Sequence, residues 1–162
     1  MTEPLVSVIV PSYNHAPFLK ECLASVFAQD YPSMEVIVVD DGSADNSGAV
    51  LRELNRQFDF RLELREHHGL SNTVNYAITE YAHGKYITIT ASDDIWLPGK
   101  LTKQVRFMEE NPQFPMAYGK SKVMDVDGNF LERQTATLNA GLKGGMIFKD
   151  IFLMDFHPPV NY

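Results

Sequence analysis

The sequence contains a single cysteine, Cys22, among its 162 residues. One cysteine cannot form an internal disulfide, and it supplies too few thiolates for a cysteine-based zinc or iron-sulfur site. Basic residues are also scarce, because 14 lysines and arginines face 21 aspartates and glutamates, for a net charge of -7. This balance excludes the broad basic surface that binding to a phosphate backbone requires. A reducing compartment and no nucleic acid partner are therefore expected.

Long apolar segments and glycine-rich phosphate loops are absent as well. No apolar run approaches the ~20 residues of a membrane span, and the first residues show no basic segment followed by an apolar stretch. These absences predict a cytoplasmic protein, whose peripheral association with the inner face of a membrane would depend on regions outside this chain. Neither Gly-x-Gly-x-x-Gly nor Gly-x-x-x-x-Gly-Lys-Ser/Thr occurs, which argues against the usual dinucleotide and P-loop sites.

The sequence does contain an alternation of short β-branched runs and segments of helical periodicity. The runs at 5–10, 36–39, 62–64 and 86–90 predict strands, and the apolar spacing over 18–27, 50–58, 70–81 and 98–108 predicts helices. This order is typical of an α/β fold, a doubly wound, mostly parallel sheet with flanking helices. Ligands of such sheets collect at the carboxyl ends of the strands.

Past the fourth helix the pattern changes. Residues 116–124 and 130–134 resemble two strands of a hairpin joined by Asp127-Gly128, a strong hairpin dipeptide. The acidic triplet at 125–127 has the look of a metal motif, but its place before this glycine favours a turn. The apolar spacing over 146–152 indicates a further helix.

Three polar clusters fall at predicted carboxyl ends of strands, at 11–14, 40–43 and 92–94. Acidic pairs in loops are usually helix caps or solvated turns, but two pairs at one sheet edge indicate a binding site. Asp93 and Asp94 cannot hold an anionic diphosphate directly. A Mg²⁺ or Mn²⁺ ion that binds one or two carboxylates and substrate phosphates would resolve this repulsion. Tyr13 offers a ring for nucleobase stacking or is a structural aromatic, and Asp41 offers an acceptor.

Four blocks of sequence carry a resemblance to a known family. They are Val6-Ser-Val-Ile-Val-Pro-Ser-Tyr-Asn14, Val36-Ile-Val-Val-Asp-Asp-Gly-Ser-Ala-Asp45, Gly69-Leu-Ser-Asn-Thr-Val-Asn75 and Gly84-Lys-Tyr-Ile-Thr-Ile-Thr-Ala-Ser-Asp-Asp94. In this order they resemble the signature blocks of the family 2 inverting glycosyltransferases of GT-A fold, the nucleotide-diphospho-sugar transferase type. The resemblance spans about residues 4 to 135. It implies transfer of a sugar from a nucleotide-diphosphate donor, for example a UDP-linked sugar, to a hydroxyl of a glycan or lipid-linked acceptor.

The resemblance also implies roles for individual residues. It assigns nucleotide binding to Pro11, Tyr13, Asp41, Asp40 and Asp93. The first three belong to the nucleobase pocket, Asp40 lies near it, and Asp93 contacts the ribose. Asp94 is the implied ligand of the Mn²⁺ or Mg²⁺ ion, which would bind the donor diphosphate.

Two positions depart from the family pattern. Ala91 stands where many relatives have a first aspartate of the acidic motif, and Val74 stands where an arginine often precedes the asparagine. The diphosphate contact of that arginine is therefore missing. His67 or His68 could replace it, or both could belong to a surface loop.

The catalytic base is not identified. Inverting transfer needs a carboxylate that removes the proton of the acceptor hydroxyl, and in the family this residue lies well downstream of the acidic motif. We therefore expect residues 1–162 to form a single, C-terminally truncated donor-binding domain, with the base beyond Tyr162. Asp150 and Asp155 are poorer candidates, because they lie on the polar side of an apolar segment.

Two alternative functions remain open from the sequence. A non-catalytic nucleotide-sugar-binding fragment would lack the base, as this chain is expected to. A sugar nucleotidyltransferase would share the sheet and the metal-bound nucleotide. That class normally has a glycine-rich basic loop after its first strand, however, and residues 11–14 are neither glycine-rich nor basic.

Overall fold

Four parallel strands form the centre of the first of two units into which the chain divides, Met1–Pro115 and Met116–Tyr162. The computed structural model describes residues 3–125 and 127–145. The elements of the first unit are β1 (Val6–Ser12), α1 (Leu19–Phe27), β2 (Met34–Asp40), α2 (Ser47–Leu54), β3 (Arg61–Leu64), α3 (Leu70–Tyr81), β4 (Tyr86–Ile89) and α4 (Lys100–Glu110). This order confirms the predicted α/β fold.

The sheet has the strand order β3-β2-β1-β4, with every pair parallel. β1 lies inside it and pairs over its whole length with β2, from Val6 opposite Met34 to Ser12 opposite Asp40. All seven residues of β1 are buried. Burial on both faces explains why this strand is a continuous apolar run rather than an alternating one. Because the strands are parallel, their carboxyl ends lie along one edge.

Helices cover both faces of the sheet. On one face Val8 and Val10 belong to a core cluster with Leu23 of α1 and Leu51 of α2. On the other face Ile9 belongs to a smaller cluster with Ile37, Val39 and Ala77, the last from α3. Successive residues of a strand point to opposite faces, which is why neighbours in β1 serve different cores. The doubly wound arrangement is therefore confirmed.

The prediction of two paired strands in the second unit is wrong. Met124 and Phe130 form an isolated antiparallel bridge, and no longer ladder extends it within the described part of this unit. Residues 132–134, placed in a strand by the hydrophobic pattern, begin a helix, α5 (Glu132–Ala140). The physical reason is that Glu, Arg and Gln are good helix formers. Their helix propensity prevails over the strand pattern suggested by the two apolar residues before them.

The turn between these residues forms as expected. The Asp125 carboxylate accepts the backbone N–H groups of Asp127 at 3.0 Å and Asn129 at 2.9 Å, and Gly128 adopts a φ of +83°. The hydrogen bonds from Asn129 hold the pKa of Asp125 below its usual range. The turn interpretation of the acidic triplet is thus confirmed. The helix predicted over 146–152, and with it Asp150 and Asp155, lies outside the described residues.

None of the helices in the described ranges is long and apolar enough to cross a lipid bilayer.

Candidate functional site

The loops that follow β1, β2 and β4 meet at the carboxyl edge of the sheet, together with the loop that leads into α3. The Asp41 N–H donates to the Ser12 carbonyl at 2.8 Å, which joins the first two loops. The His15 Nδ1 lies 2.8 Å from Ser92 Oγ, which joins the first loop to the acidic motif. The clusters predicted at separate strand ends therefore lie together at one edge of the sheet.

Asn14 fixes the course of the first loop. It adopts a left-handed φ of 56°, a conformation that asparagine tolerates better than most residues. Its N–H donates to Ser43 Oγ at 2.8 Å, and its side-chain oxygen accepts the N–H of Ala44 at 2.8 Å. The asparagine of the first block thus holds the first loop against the second.

Asp40 is buried at the end of β2, and its carboxylate is committed to the turn that follows. Its two oxygens accept the Ser43 N–H at 3.0 Å and the Ser43 hydroxyl at 2.6 Å. A carboxylate bound in this way shapes the loop next to the predicted nucleobase pocket.

Asp41 is 3% exposed and lies at the N-terminus of α3. One oxygen accepts Thr73 Oγ1 at 2.7 Å and the His68 N–H at 2.9 Å, and the other accepts the Gly69 N–H at 2.9 Å. Burial opposes ionisation of this group, but the hydrogen bonds from Thr73, His68 and Gly69 prevail and lower its pKa. An ionised carboxylate also suits the positive end of the helix dipole.

His67 and His68 are exposed in the loop between β3 and α3, as the surface-loop alternative expected, and His67 lies beside the predicted nucleobase residues. Its Nδ1 is 2.9 Å from Asp41 Oδ2, and its ring stacks on Tyr13 with the centroids 4.4 Å apart. Tyr13 remains 43% exposed, so that part of its ring is accessible to a ligand. Pro11, two residues earlier, is buried in β1 opposite Val39.

The acidic motif forms a tight turn after β4. The Asp94 N–H donates to the Ala91 carbonyl at 3.1 Å, and the Asp93 side chain is 45% exposed. Cys22 of α1 donates to the same carbonyl at 3.5 Å. Burial, and then the charges of Asp94 and Asp93, raise the pKa of the Cys22 thiol to about 12. The motif therefore concentrates negative charge at this edge, and the thiol beside it stays protonated at neutral pH.

The donor set at this turn fits a metal that is bound jointly with a ligand. Within residues 3–125 and 127–145, no group of three or more histidine, cysteine, aspartate or glutamate side chains is placed to hold a metal by itself. Mg²⁺ and Mn²⁺ do not need such a cage, because one or two carboxylates suffice when substrate phosphates and water complete the shell. Asp94, with Asp93 next to it, provides that minimum.

Two contributors to the site were not identified from the sequence as functional. Thr73 lies within the third block, but nothing in its spacing indicates that its hydroxyl binds a carboxylate 32 residues earlier. His15 joins the first loop to the acidic motif. Its place directly after Asn14 is the one feature of the sequence that could have indicated this contact. Val74, at the position of the missing arginine, is half-buried and supplies no charge.

Comparison with known proteins shows similarity to glycosyltransferases. The family model described as glycosyl transferase family 2 matches residues 7–150. An Escherichia coli relative, UDP-Glc:alpha-D-GlcNAc-diphosphoundecaprenol beta-1,3-glucosyltransferase WfgD, is 34% identical over 149 residues, which are 88% of this chain and 57% of that protein.

Two solved structures resemble the fold. The mannosyltransferase PcManGT from Pyrobaculum calidifontis, in complex with GDP-Man and Mn²⁺, has a TM-score of 0.61 and 34% identity, covering 67% of this chain and 33% of its own. Residues 1–349 of TarS from S. aureus, in complex with UDP-GlcNAc, have a TM-score of 0.61 and 29% identity, covering 67% of this chain and 32% of their own.

The match is to a part of each relative. The chain spans between 19% and 60% of the length of the curated relatives that it matches most significantly. The family match nevertheless covers most of the sequence given, and the fold is that of the GT-A glycosyltransferases. The chain belongs to glycosyl transferase family 2.

Proposed function

We propose that this chain binds the nucleotide-sugar donor of an inverting glycosyltransferase, which moves the sugar to a hydroxyl of a glycan or lipid-linked acceptor with the help of a divalent metal. The observation that carries the proposal is the convergence of Tyr13 and the acidic pair Asp93-Asp94 at one sheet edge, joined through His15. A ring and a pair of carboxylates are the complements of a nucleobase and of a metal-bound diphosphate. The relatives support this reading through the donors that their names state.

The nucleobase would contact Tyr13. The Asp41 carboxylate accepts three hydrogen bonds, from His68, Gly69 and Thr73. His67 Nδ1 bonds the Asp41 backbone carbonyl at 3.0 Å and lies 2.9 Å from Oδ2. A carboxylate has about four lone-pair positions, so one position, on Oδ2 beside His67, is left for a further donor. We therefore assign Asp41 to the pocket as the group that holds His67 and the start of α3, and a direct bond to the base would use that remaining position.

The diphosphate end of the donor would lie at the acidic turn. We assign the exposed carboxylate of Asp93 to a ribose hydroxyl and Asp94 to the metal. A bound Mn²⁺ or Mg²⁺ would neutralise the negative charge that develops on the departing nucleoside diphosphate. Cys22 takes no part as a nucleophile, because the raised pKa keeps its thiol protonated.

Transfer also requires a base. A carboxylate must lie within hydrogen-bond reach of the acceptor hydroxyl and remove its proton as that oxygen attacks the anomeric carbon. We assign none of the described residues to this role. If the acceptor is lipid-linked, as in the name of the E. coli relative, the protein would work at the cytoplasmic face of a membrane.

The proposal is tested by calorimetric titration of the chain with UDP, GDP and uridine, each in Mn²⁺ and in EDTA. We expect one diphosphate to bind more tightly with Mn²⁺ than with EDTA, and the binding of uridine to be independent of metal. The comparison of diphosphate with nucleoside isolates the metal-dependent part of the affinity. Equal binding of the diphosphates in Mn²⁺ and EDTA would refute the proposed donor site.

A further inference from the structure

We propose that His15 is a positioning residue, which holds the acidic turn at 91–94 in place against the nucleobase loop. The inference rests on the proposed function, because it gives His15 the task of aligning the two ends of the donor site. It adds a residue for which neither the chemistry of the motifs nor the family resemblance supplied a role.

The imidazole contacts the acidic turn through one nitrogen. His15 Nδ1 lies 2.8 Å from Ser92 Oγ and 3.7 Å from Asp93 Oδ1. The Ser92 side chain is fully buried, whereas the Asp93 side chain is 45% exposed. A buried hydroxyl is costly to leave without a partner. The bond to Ser92 is therefore the firm contact, and Asp93 is oriented as the next residue of the same turn.

The other end of His15 is fixed independently. Its backbone N–H donates to the hydroxyl of Ser47, a fully buried residue that begins α2, at 3.2 Å. Its ring also meets the edge of Phe18, with the centroids 6.1 Å apart and the planes at 86°. A side chain anchored in this way moves little relative to the sheet. It can therefore fix the position of the acidic turn that it touches.

Two substitutions test whether the contact of Nδ1 with Ser92 matters, or only the presence of a polar side chain at position 15. In His15→Asn the side-chain amide takes about the place of Nδ1 and can donate or accept, as either histidine tautomer does. In His15→Gln the amide lies near the place of Nε2, away from Ser92. His83→Gln is the matched control, since His83 is exposed in the loop before β4, at the opposite edge of the sheet.

The first measurement needs no ligand. Amide hydrogen exchange reports how firmly Ser92, Asp93 and Asp94 are held. We expect faster exchange at these amides in His15→Gln, and wild-type exchange in His15→Asn and His83→Gln. Equal exchange in all four proteins would overturn the positioning role. Equally accelerated exchange in both His15 variants would overturn it too, because the nitrogen at the Nδ1 position would then not matter.

The second measurement is calorimetric titration with UDP in Mn²⁺ and with uridine in EDTA. Removing a residue that orients a metal ligand typically costs at least about 10-fold in affinity, and we expect that loss for Mn²⁺-dependent UDP binding to His15→Gln. Uridine binding should stay unchanged, and His15→Asn should behave as the wild type. A parallel loss of uridine and UDP binding would contradict the assignment to the acidic turn.

The two readouts separate the inference from the proposed function. If the wild type binds neither UDP nor GDP, the proposed function fails, and the amide exchange still decides whether His15 holds the turn. If the wild type binds UDP in a metal-dependent way and both His15 variants match it, the proposed function stands and the role of His15 is refuted.

Discussion

The imidazole of His67 stacks on the phenol ring of Tyr13, with the centroids 4.4 Å apart and the planes inclined by 29°. The same imidazole is held by Asp41, through its Oδ2 at 2.9 Å and its backbone carbonyl at 3.0 Å. A buried carboxylate thus fixes the ring on which Tyr13 rests. A ring held in this way loses less entropy when a ligand binds against it.

Replacing Tyr13 tests whether this ring contacts the nucleobase. Stacking of a base on an aromatic side chain contributes roughly 1–3 kcal/mol by alanine substitution, so we expect Tyr13→Ala to weaken binding of uridine and of UDP by about that amount. Tyr13→Phe keeps the ring and should retain most of the affinity. Calorimetry on the three proteins measures the difference. Unchanged uridine binding in Tyr13→Ala would show that the base lies elsewhere.

Asp41 should contribute to stability in a way that depends on pH. Its pKa in the folded protein is lowered, from an unfolded value of about 3.9. Its stabilising effect is therefore fully present above about pH 4 and is lost as the pH falls through the lower, folded pKa. We expect Asp41→Asn to lower the free energy of unfolding by about 1–3 kcal/mol at neutral pH, because buried donors lose an ionised partner.

Urea denaturation at neutral pH and at acidic pH measures this effect. Asp59→Asn is the control, since Asp59 is exposed in the loop before β3. The difference in the free energy of unfolding between wild type and Asp41→Asn should become smaller at acidic pH. The free energy of unfolding of Asp59→Asn should stay close to that of the wild type at both pH values. A difference in the free energy of unfolding that is independent of pH would mean that ionised Asp41 is not the stabilising form.

Gly42 should not tolerate a side chain. It has a φ of +77°, and a Cβ at this position would lie 2.7 Å from the backbone nitrogen of His67. The backbone cannot yield as a flexible side chain would, so overpacking adds about 1–3 kcal/mol to the cost of the left-handed conformation. Gly42→Ala should therefore lower stability and displace His67 from Tyr13.

Gly99→Ala provides the matched comparison. Gly99 has a similar φ of +73°, but its nearest neighbour would be the flexible Lys103 side chain at 3.6 Å. This variant should show the conformational cost alone. Urea denaturation of both variants separates strain from steric overlap, and equal destabilisation would contradict the close approach of the two loops at Gly42.

The fold could be predicted because its signals are local. Each buried strand of the sheet is a short β-branched run, and each covering helix repeats its apolar residues at helical spacing. The parallel order then brings the motifs after β1, β2 and β4 to one edge. The convergence of Tyr13, Asp41 and Asp93 at that edge follows from topology, without any knowledge of side-chain contacts.

The details of the site could not be predicted, because they depend on residues far apart in the chain. Asp41 is bound by Thr73, 32 residues later, and His15 contacts Ser92, 77 residues later. No periodicity encodes such pairs. The prediction of a hairpin in the second unit was wrong because it relied on a purely local signal. Asp127-Gly128 specifies a turn but does not require paired strands on either side of it.

The proposed donor site depends most directly on Asp94 as the ligand of a metal that binds together with the donor diphosphate. The decisive measurement is the ratio of UDP affinity in Mn²⁺ to that in EDTA, for the wild type, Asp94→Asn and the control Asp59→Asn. We expect a ratio well above one for the wild type and for Asp59→Asn, and a ratio near one for Asp94→Asn. A full Mn²⁺ dependence retained by Asp94→Asn would contradict this role of Asp94.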